Sequence, residues 1–377
     1  MAGADNQPES SLAPPVPLCV DLDGTLVKSD TLVDSLLALA RARPMLLFRL
    51  PGRLLCGKAA FKAFVAESAP LDVACLPYNR KVLQFLREER TRGRAIYLTT
   101  GADQALASRV AAHLGIFAGV LASDGATNLT GKRKLDGLRS RLGSGAFDYI
   151  GNDTRDLPLL AAASMPMVAN PSLALTIELR ARKIRPARQF NEGIHPAKAL
   201  LSAVRPQQWT TNLLVFAPLL LSHALSAAKL LAAFEAFCCI SLITSAVSIL
   251  DDLLNIEAGR RHPQKRPLPF ASGDLPAFAG IGMAAVFLLL GLLGGALLAG
   301  KFFAWLLLYL AAALAYSLYL RRIALVGVLA LSGLYALRLP AGGAATLTPI
   351  SHWLAGLSIF LFLCLAIVER SSAPSAT

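Results

Sequence analysis

Two aspartates stand two positions apart near the start of the chain, in the segment PLCVDLDGTLVKSDTL. The apolar run from Leu18 to Val20 predicts a strand that ends at Asp21 and Asp23. Such a geometry suits one carboxylate as a nucleophile and the other as a general acid, with a divalent cation neutralising an incoming phosphate. A solvated turn after a strand is the competing interpretation, because Asp and Gly are common in turns.

Two later apolar runs that predict strands, 94–101 and 147–151, also lead into polar residues, and a lysine lies between them. Thr100 offers a hydroxyl for a phosphoryl oxygen, and Lys134, in NLTGKRK, can balance negative charge. The last run leads into Asn152, Asp153 and Asp156, whose oxygens are possible metal ligands. Strand ends that deliver polar residues to one edge are typical of an open α/β sheet, which binds ligands at the carboxyl ends of its strands.

These four motifs, in this order, resemble the haloacid dehalogenase (HAD) hydrolase superfamily over residues 16–170. The resemblance implies that Asp21 is a nucleophile, that Asp23 is its acid/base partner, and that Thr100 and Lys134 hold phosphate. It also implies a helical cap over residues 30–85. The Mg²⁺ site implied by the resemblance would draw on Asp21, Asp23, Asn152, Asp153 and Asp156. Asn152 departs from the family pattern, which commonly has an acid there, and Asp153 is the candidate substitute.

The charged residues that must surround such a site are unevenly distributed along the chain. Of 377 residues 55% are hydrophobic and only 16% are charged, against about 25% in a typical soluble domain. The deficit begins near residue 205: the 173 residues from there on hold 11 Lys and Arg and 6 Asp and Glu, counted directly from the sequence. A cytoplasmic first half and a membrane second half are therefore expected. The start of the chain lacks the basic and apolar regions of a secretory signal.

Six apolar runs approach the roughly 20 residues that a membrane-spanning helix needs. The predicted spans are 208–225, 230–250, 276–299, 302–320, 323–344 and 352–368. With the first half inside, the basic clusters fall on the cytoplasmic side, as the positive-inside bias predicts. This placement explains the net charge of +13 better than nucleic-acid binding does. Six cysteines without paired CxxC spacing argue against a disulfide framework or a zinc site.

The most polar segment of the second half is SILDDLLNIEAGRRHPQKRPLPFASGDL, residues 248–275. In a helix Asp252, Asn255 and Gly259 share one face, where Asp252 and the adjacent Asp251 could hold Mg²⁺ against a diphosphate. A positive-inside loop after a helix that ends in acids explains the segment equally well. The cationic partners predicted for the diphosphate are Arg260, Arg261, Lys265 and Arg266. Arg338 is a further candidate because it lies deep in an apolar run, where an unpaired charge is costly.

The segments RPQQW, HPxKRPxP, AYSLYLRR and GLYALRLPAG, together with this acidic segment, resemble the UbiA-type intramembrane prenyltransferases over residues 196–370. Most similar is the subgroup with an N-terminal HAD domain, which is related to enzymes that transfer phosphoribose to polyprenyl phosphate. The family motif NDxxDxxxD is matched only at Asp252, so the transferase site looks degenerate. The family also has more spans and a second acidic motif, so the chain is expected to be truncated at its C-terminus.

The sequence thus predicts an α/β HAD-like domain followed by an all-α domain of about six membrane-spanning helices in a bacterial inner membrane. The expected divisions are a disordered lead (1–15), the cytoplasmic HAD-like domain (16–190), the UbiA-like domain (196–370) and a tail (371–377). The favoured function is Mg²⁺-dependent transfer involving an isoprenoid (di)phosphate lipid and an acceptor or donor co-substrate, fused to a phosphohydrolase. A membrane-tethered HAD phosphatase and an inactive remnant or scaffold are the alternatives.

Overall fold

The computed structural model describes residues 16–69, 71–143, 145–222, 225–298 and 300–349, with 356, 360–364 and 367. The chain divides into two compact units. The first comprises the chain as far as Ile194, with Arg260–Arg266 and Ser272–Asp274. The second comprises His195–Gly259, Pro267–Ala271 and the chain from Leu275 onward.

The first unit is built on a parallel sheet of six strands, in the order β3-β2-β1-β4-β5-β6. The strands are β1 (Leu18–Val20), β2 (Ile96–Asp103), β3 (Gly119–Ser123), β4 (Asp148–Gly151), β5 (Pro166–Ala169) and β6 (Arg188–Phe190). Leu18 and Val20 pack in the core on one face of the sheet and Cys19 packs on the other. Burial on both faces explains why the strands are continuous apolar runs in the sequence. The α/β prediction is confirmed.

Helices follow or connect the strands, and α1 to α4 lie between β1 and β2, where the helical cap was predicted. The α-helices before residue 195 are α1 (Thr31–Ala42), α2 (Leu50–Leu55), α3 (Lys58–Ser68), α4 (Arg80–Thr91), α5 (Gln104–Leu114), α6 (Lys132–Leu142), α7 (Leu157–Ala162) and α8 (Leu173–Ala181). Short 3₁₀ helices occupy Pro44–Arg49, Val73–Cys75 and Thr154–Asp156. Asp30 is the N-cap of α1: its side chain accepts from the amides of Leu32 and Val33, which fixes where this helix begins.

The remainder of the described chain is helical, as predicted. Its α-helices are α9 (Pro196–Val204), α10 (Ala217–Leu221), α11 (Ala227–Leu254), α12 (Ile256–Arg261), α13 (Pro269–Ser272), α14 (Ala277–Leu297), α15 (Gly300–Leu318) and α16 (Ala324–Thr346), with 3₁₀ helices at Pro206–Phe216 and Leu320–Arg322. Four described stretches are long and apolar enough to cross a membrane: Ala227–Leu254, Ala277–Leu297, Gly300–Leu318 and Leu325–Thr346. They correspond to the second to fifth predicted spans.

The first predicted span, 208–225, has a different structure. The chain there forms a long 3₁₀ helix and then the five-residue α10, with Pro206 and Pro218 near the start of each. Side chains of the 3₁₀ helix bond to α11, through Asn212 to Ser241 and through Trp209 to Ser245. Most of the last predicted span, 352–368, lies outside the described residues.

Candidate active site

The two predicted catalytic carboxylates stand at the carboxyl end of β1, between the ends of β2 and β4. The Asp21 amide donates to the Ile150 carbonyl oxygen at 3.0 Å, which extends the sheet pairing by one residue. Asp23 Oδ1 accepts from the Thr31 amide at 2.8 Å. Gly24 has a φ of +75°, a conformation that costs glycine little, and it turns the chain back toward the cap.

Lys134 brings a buried positive charge to Asp21. Its Nζ lies 2.6 Å from Asp21 Oδ1 and 3.1 Å from Asp156 Oδ1. The side chain is 4% exposed, so both ion pairs lie in a region of low dielectric, where charge interactions are strong. Asp21 and Asp156 lie 113 and 22 positions from Lys134 in the sequence, and both contact its ammonium group.

Asp156 has both carboxylate oxygens occupied. Oδ1 accepts from Lys134 and from the Tyr149 hydroxyl at 2.7 Å, and Oδ2 accepts from the amides of Asn152 and Asp153 at 3.2 and 3.4 Å. Four donors satisfy most of the accepting capacity of a carboxylate. The geometry suits Asp156 as an anchor for Lys134 and for the turn after β4 better than as the metal ligand expected from the sequence.

The site holds more negative than positive charge. Burial and the neighbouring charge of Asp156 raise the pKa of Asp21 to about 7, although Lys134 opposes the shift. Burial and the charge of Asp30 raise the pKa of Asp23 to about 6. Burial alone would lower the pKa of Lys134, but the charges of Asp156 and Asp21 outweigh it and raise that pKa. A further cation beside Asp21 and Asp23 would therefore be stabilised there.

The remaining predicted site residues of the first unit have different positions. Asn152 and Asp153 line the same cavity as Asp21, Asp23 and Lys134. The Asn152 amide lies against Gly24, where an added Cβ would come within 1.9 Å of Nδ2. Asp153 caps the next turn by accepting from Thr154 and pairs with Arg155. Thr100 is buried and its Oγ1 accepts from the Ala102 amide at 3.0 Å.

A second cavity adjoins the first, with Asp23, Asp30, Gly101 and Arg155 lining both. It is closed on the cap side by Lys62 of α3, whose Nζ donates to the Gly101 carbonyl oxygen at 2.6 Å and to Asn128 Oδ1 at 2.9 Å. The sequence analysis missed Lys62, because a lysine in an amphipathic helix carries no distinguishing signal. Among the described residues there is no group of three or more His, Cys, Asp or Glu placed to hold a metal ion.

Asp251 and Asp252 of the second unit lie at the end of α11, and each is bonded to an arginine. Arg205 Nη2 lies 2.8 and 2.7 Å from the two oxygens of Asp252. Asp251 accepts from Arg321 at 2.5 Å, from Ser317 at 2.6 Å and from Asn255 at 3.0 Å. The helix ends at Leu254, with Asn255 as its cap, so the predicted continuous face through Gly259 is interrupted. Arg205 and Arg321 are functional candidates that the sequence analysis missed.

Arg338 lies in a polar network among apolar helices. Its Nε donates to Asn212 Oδ1 at 2.7 Å, Nη1 to the Leu334 carbonyl oxygen at 2.8 Å, and Nη2 to the Tyr309 hydroxyl at 3.2 Å. The guanidinium also lies over the ring of Tyr309, 5.3 Å from its centroid. These neutral contacts offset part of the cost of burying the charge.

The four predicted diphosphate-binding cations all belong to the first unit. Arg260 is buried and pairs with Asp34 at 2.9 Å, and Arg261 pairs with Asp72 at 2.9 Å. Lys265 and Arg266 are exposed. That these four residues are cationic partners of a diphosphate stays a prediction.

Comparison with known proteins gives matches for both parts of the chain. A family model described as UbiA prenyltransferase family matches residues 212–371. The uncharacterized protein y4nM of Sinorhizobium fredii is 36% identical over 94% of this chain and 69% of its own length. The decaprenyl-phosphate phosphoribosyltransferase of Mycobacterium tuberculosis is 35% identical over 41% of this chain, which spans 53% of that relative. A HAD family hydrolase from Salmonella enterica aligns over 46% of this chain and 68% of its own, with a TM-score of 0.33 and 14% identity.

Proposed function

We propose that the first unit of this chain is a phosphohydrolase, joined to a membrane unit of the UbiA prenyltransferase family that works on isoprenoid phosphates. The observation that carries the proposal is the contact of the Lys134 ammonium with Asp21, beside Asp23, in one cavity at the carboxyl edge of the sheet. A buried lysine next to a carboxylate nucleophile suits a dianionic phosphate better than a neutral substrate.

The arrangement supports hydrolysis in two steps. An Asp21 oxygen attacks phosphorus as the bond from phosphorus to the leaving oxygen breaks, and Asp23 donates its proton to that oxygen. Asp23 then takes a proton from water, which attacks the aspartyl phosphate and releases inorganic phosphate with Asp21 regenerated. The raised pKa of Asp23, about 6, suits a group that gives and takes a proton near neutral pH. Lys134 stabilises the charge on the phosphoryl oxygens.

Mg²⁺ fits the donor set of this site. Burial and neighbouring carboxylates raise the pKa values of Asp21 and Asp23, so a cation beside them would stabilise their charged forms, and Mg²⁺ prefers such oxygen ligands. Asp21 and the Asn152 amide oxygen would hold the ion, and the Asp23 carboxyl is left for proton transfer. When bound, it neutralises charge on the phosphate and on the nucleophile. Asn152 supplies a neutral ligand where a carboxylate would bind more strongly, so the expected affinity is modest.

The corresponding experiment measures phosphate release from a small phosphomonoester by the full chain in detergent, across Mg²⁺ concentrations. We expect hydrolysis that a chelator abolishes. In Asn152→Asp we expect the half-saturating Mg²⁺ concentration to fall about tenfold, because a carboxylate replaces an amide at the ion. Mn²⁺ binding followed by electron paramagnetic resonance gives the same comparison without turnover.

Asn191→Asp is the matched control, because Asn191 is exposed and the substitution adds the same charge elsewhere in the unit. It should leave the Mg²⁺ dependence unchanged. Hydrolysis that survives chelation, or an Asn152→Asp variant with unchanged ion affinity, contradicts the assignment of the site. If Asp153→Asn weakens Mg²⁺ binding instead, Asp153 is the ligand that replaces the missing acid.

The second candidate function is transfer to or from an isoprenoid (di)phosphate in the second unit. Membership of the family and the pairs of Asp251 and Asp252 with arginines favour it. The lipid phosphate can bind through Mg²⁺ held by the two acids, or it can bind the arginines directly after they leave the acids. Both modes require the contact of Arg205 with the two oxygens of Asp252 to open. We propose the second mode, because an arginine that binds a carboxylate can bind a phosphate in its place without any further ligand.

Asp252→Asn separates these two modes of binding. We expect the variant to bind a prenyl diphosphate about tenfold more tightly than the wild type without Mg²⁺, because Arg205 loses its ionic partner and becomes available to phosphate. Titration of the detergent-solubilised chain, with and without Mg²⁺, measures it. Metal-dependent binding that disappears in Asp252→Asn supports the metal-bridged mode instead. Binding by neither protein leaves the second unit as a degenerate scaffold.

A further inference from the structure

One surface of the predicted cap carries exposed apolar side chains and positive charges but no negative charges. Residues 35–66 contain six Lys and Arg and no Asp or Glu. Within them lie the 3₁₀ helix Pro44–Arg49 and helix α2, and neither buries any of its residues. We refer to residues 43–58 as the basic cap segment. It includes Gly57, with a φ of +107°, and ends at Lys58, the first residue of α3.

The apolar side chains of the basic cap segment face solvent to an unusual degree. Met45 is 76% exposed, Phe48 is 83% exposed and Leu55 is 90% exposed. An exposed cluster of large apolar side chains commonly marks an interaction surface. The helices here are two turns or less, and helices this short contribute little stability by themselves. Burial of their apolar face against a partner would therefore stabilise them.

The charge of the segment identifies the partner. Arg43, Arg49, Arg53 and Lys58 are exposed among the apolar side chains. Two copies of a surface that carries only positive charge repel one another, which disfavours pairing with a second copy of this chain. An anionic lipid surface offers phosphate for the cations and an acyl boundary for the apolar groups. The same chain carries four helices that are long and apolar enough to span a bilayer.

We propose that the basic cap segment lies in the interface of an anionic bilayer. Met45, Phe48 and Leu55 enter the boundary between headgroups and acyl chains, and the arginines bind lipid phosphates. Apolar burial and attraction to anionic lipid act together in such segments. The proposal is independent of the phosphohydrolase activity, because it concerns neither Asp21 nor any residue that contacts it.

Hydrogen exchange of the full chain in nanodiscs tests the proposal. The discs contain phosphatidylcholine alone, or phosphatidylcholine with one part in three of phosphatidylglycerol. We expect amide exchange in residues 43–58 to slow about tenfold in the anionic discs relative to the neutral ones. Equal exchange in the two lipids overturns the proposal. Exchange that is equally slow in detergent also overturns it, and indicates a protein contact in place of lipid.

Two variants identify the groups responsible. Arg43→Glu with Arg49→Glu and Arg53→Glu should abolish the lipid difference, and so should Phe48→Ser with Leu55→Ser, which keeps the charge. The matched control is Arg87→Glu with Arg90→Glu and Arg139→Glu, because those arginines are exposed in the same unit but outside the segment. It should keep the lipid difference. Unchanged exchange in β1 and β4 verifies that each variant is folded.

Discussion

Asp21→Asn is expected to lower phosphomonoester hydrolysis by at least about a thousandfold, because the amide cannot form the bond to phosphorus. The substitution keeps the size of the side chain, and its Oδ1 can still accept from Lys134, which lies 2.6 Å from that atom. The loss should therefore appear in kcat with little change in the fold. Phosphate release under saturating Mg²⁺, together with exchange protection of β1, measures both.

Asp136→Asn is the control, because Asp136 is exposed on the same helix as Lys134. It should hydrolyse at the wild-type rate. Acid quenching during turnover should trap labelled phosphate on the wild type and none on Asp21→Asn. In Asp23→Asn the trapped fraction should increase, since the base that activates water is gone. An Asp21→Asn protein that still hydrolyses at more than a hundredth of the wild-type rate would falsify the role of Asp21 as nucleophile.

The carboxyl edge of the sheet was predictable from short-range sequence patterns. The apolar run before Asp21 predicts a buried strand, and the later strands end on polar residues in the same way. Parallel strands bring those ends to one edge, so the approach of Asp21 to the turn that holds Asp156 follows from topology. Lys134 lies in the first turn of α6, and its contact with both carboxylates depends on how that helix packs. Which oxygen accepts from which donor does not follow. The role of Asp156 as an anchor depends on the Tyr149 hydroxyl and on two amides of a turn.

The second unit shows where sequence patterns are insufficient. Spacing predicted that Asp252 and Asn255 share a helical face, but α11 ends at Leu254. The partners of its acids, Arg205 and Arg321, are 47 and 70 residues away from them in sequence. Those pairs depend on how helices pack, which periodicity does not specify. The four long helices were predictable from hydropathy, because the prediction of a membrane-spanning helix depends only on the length and apolarity of a segment.

The two candidate sites balance their charges in opposite ways. Beside Lys134, two buried carboxylates share one ammonium, and the pKa of Asp21 rises. At the end of α11 each aspartate has an arginine of its own. A site with excess negative charge favours a metal ion, whereas paired acids do not need one. This contrast supports a metal-dependent reaction in the first unit and direct contact of phosphate with arginine in the second.

Lys134→Met is expected to destabilise the first unit by about 3 kcal/mol, because Asp21 and Asp156 keep their buried positions without the ammonium they share. The deficit relative to the wild type should be larger at about pH 8 than at about pH 5, and most of the increase should fall above about pH 7, because both proteins share the same loss below the wild-type folded pKa of Asp21. An acid whose pKa is higher in the folded state loses stability as pH rises from its unfolded pKa toward its folded pKa. Removal of the ammonium raises the folded pKa of Asp21 above the present value of about 7 and extends that loss to higher pH.

Hydrogen exchange of the β1 and β4 amides, at both pH values and with a chelator present, gives the free energy of opening of the unit. Lys132→Met is the matched control, because Lys132 is exposed two residues earlier on the same helix, and it should change that free energy little. Lys134→Met with Asp156→Asn should recover part of the loss, since one unpaired carboxylate is removed while the Tyr149 hydroxyl keeps an acceptor. A double variant less stable than the single one would mean that Asp156 stabilises the turn after β4 more than its charge destabilises the site.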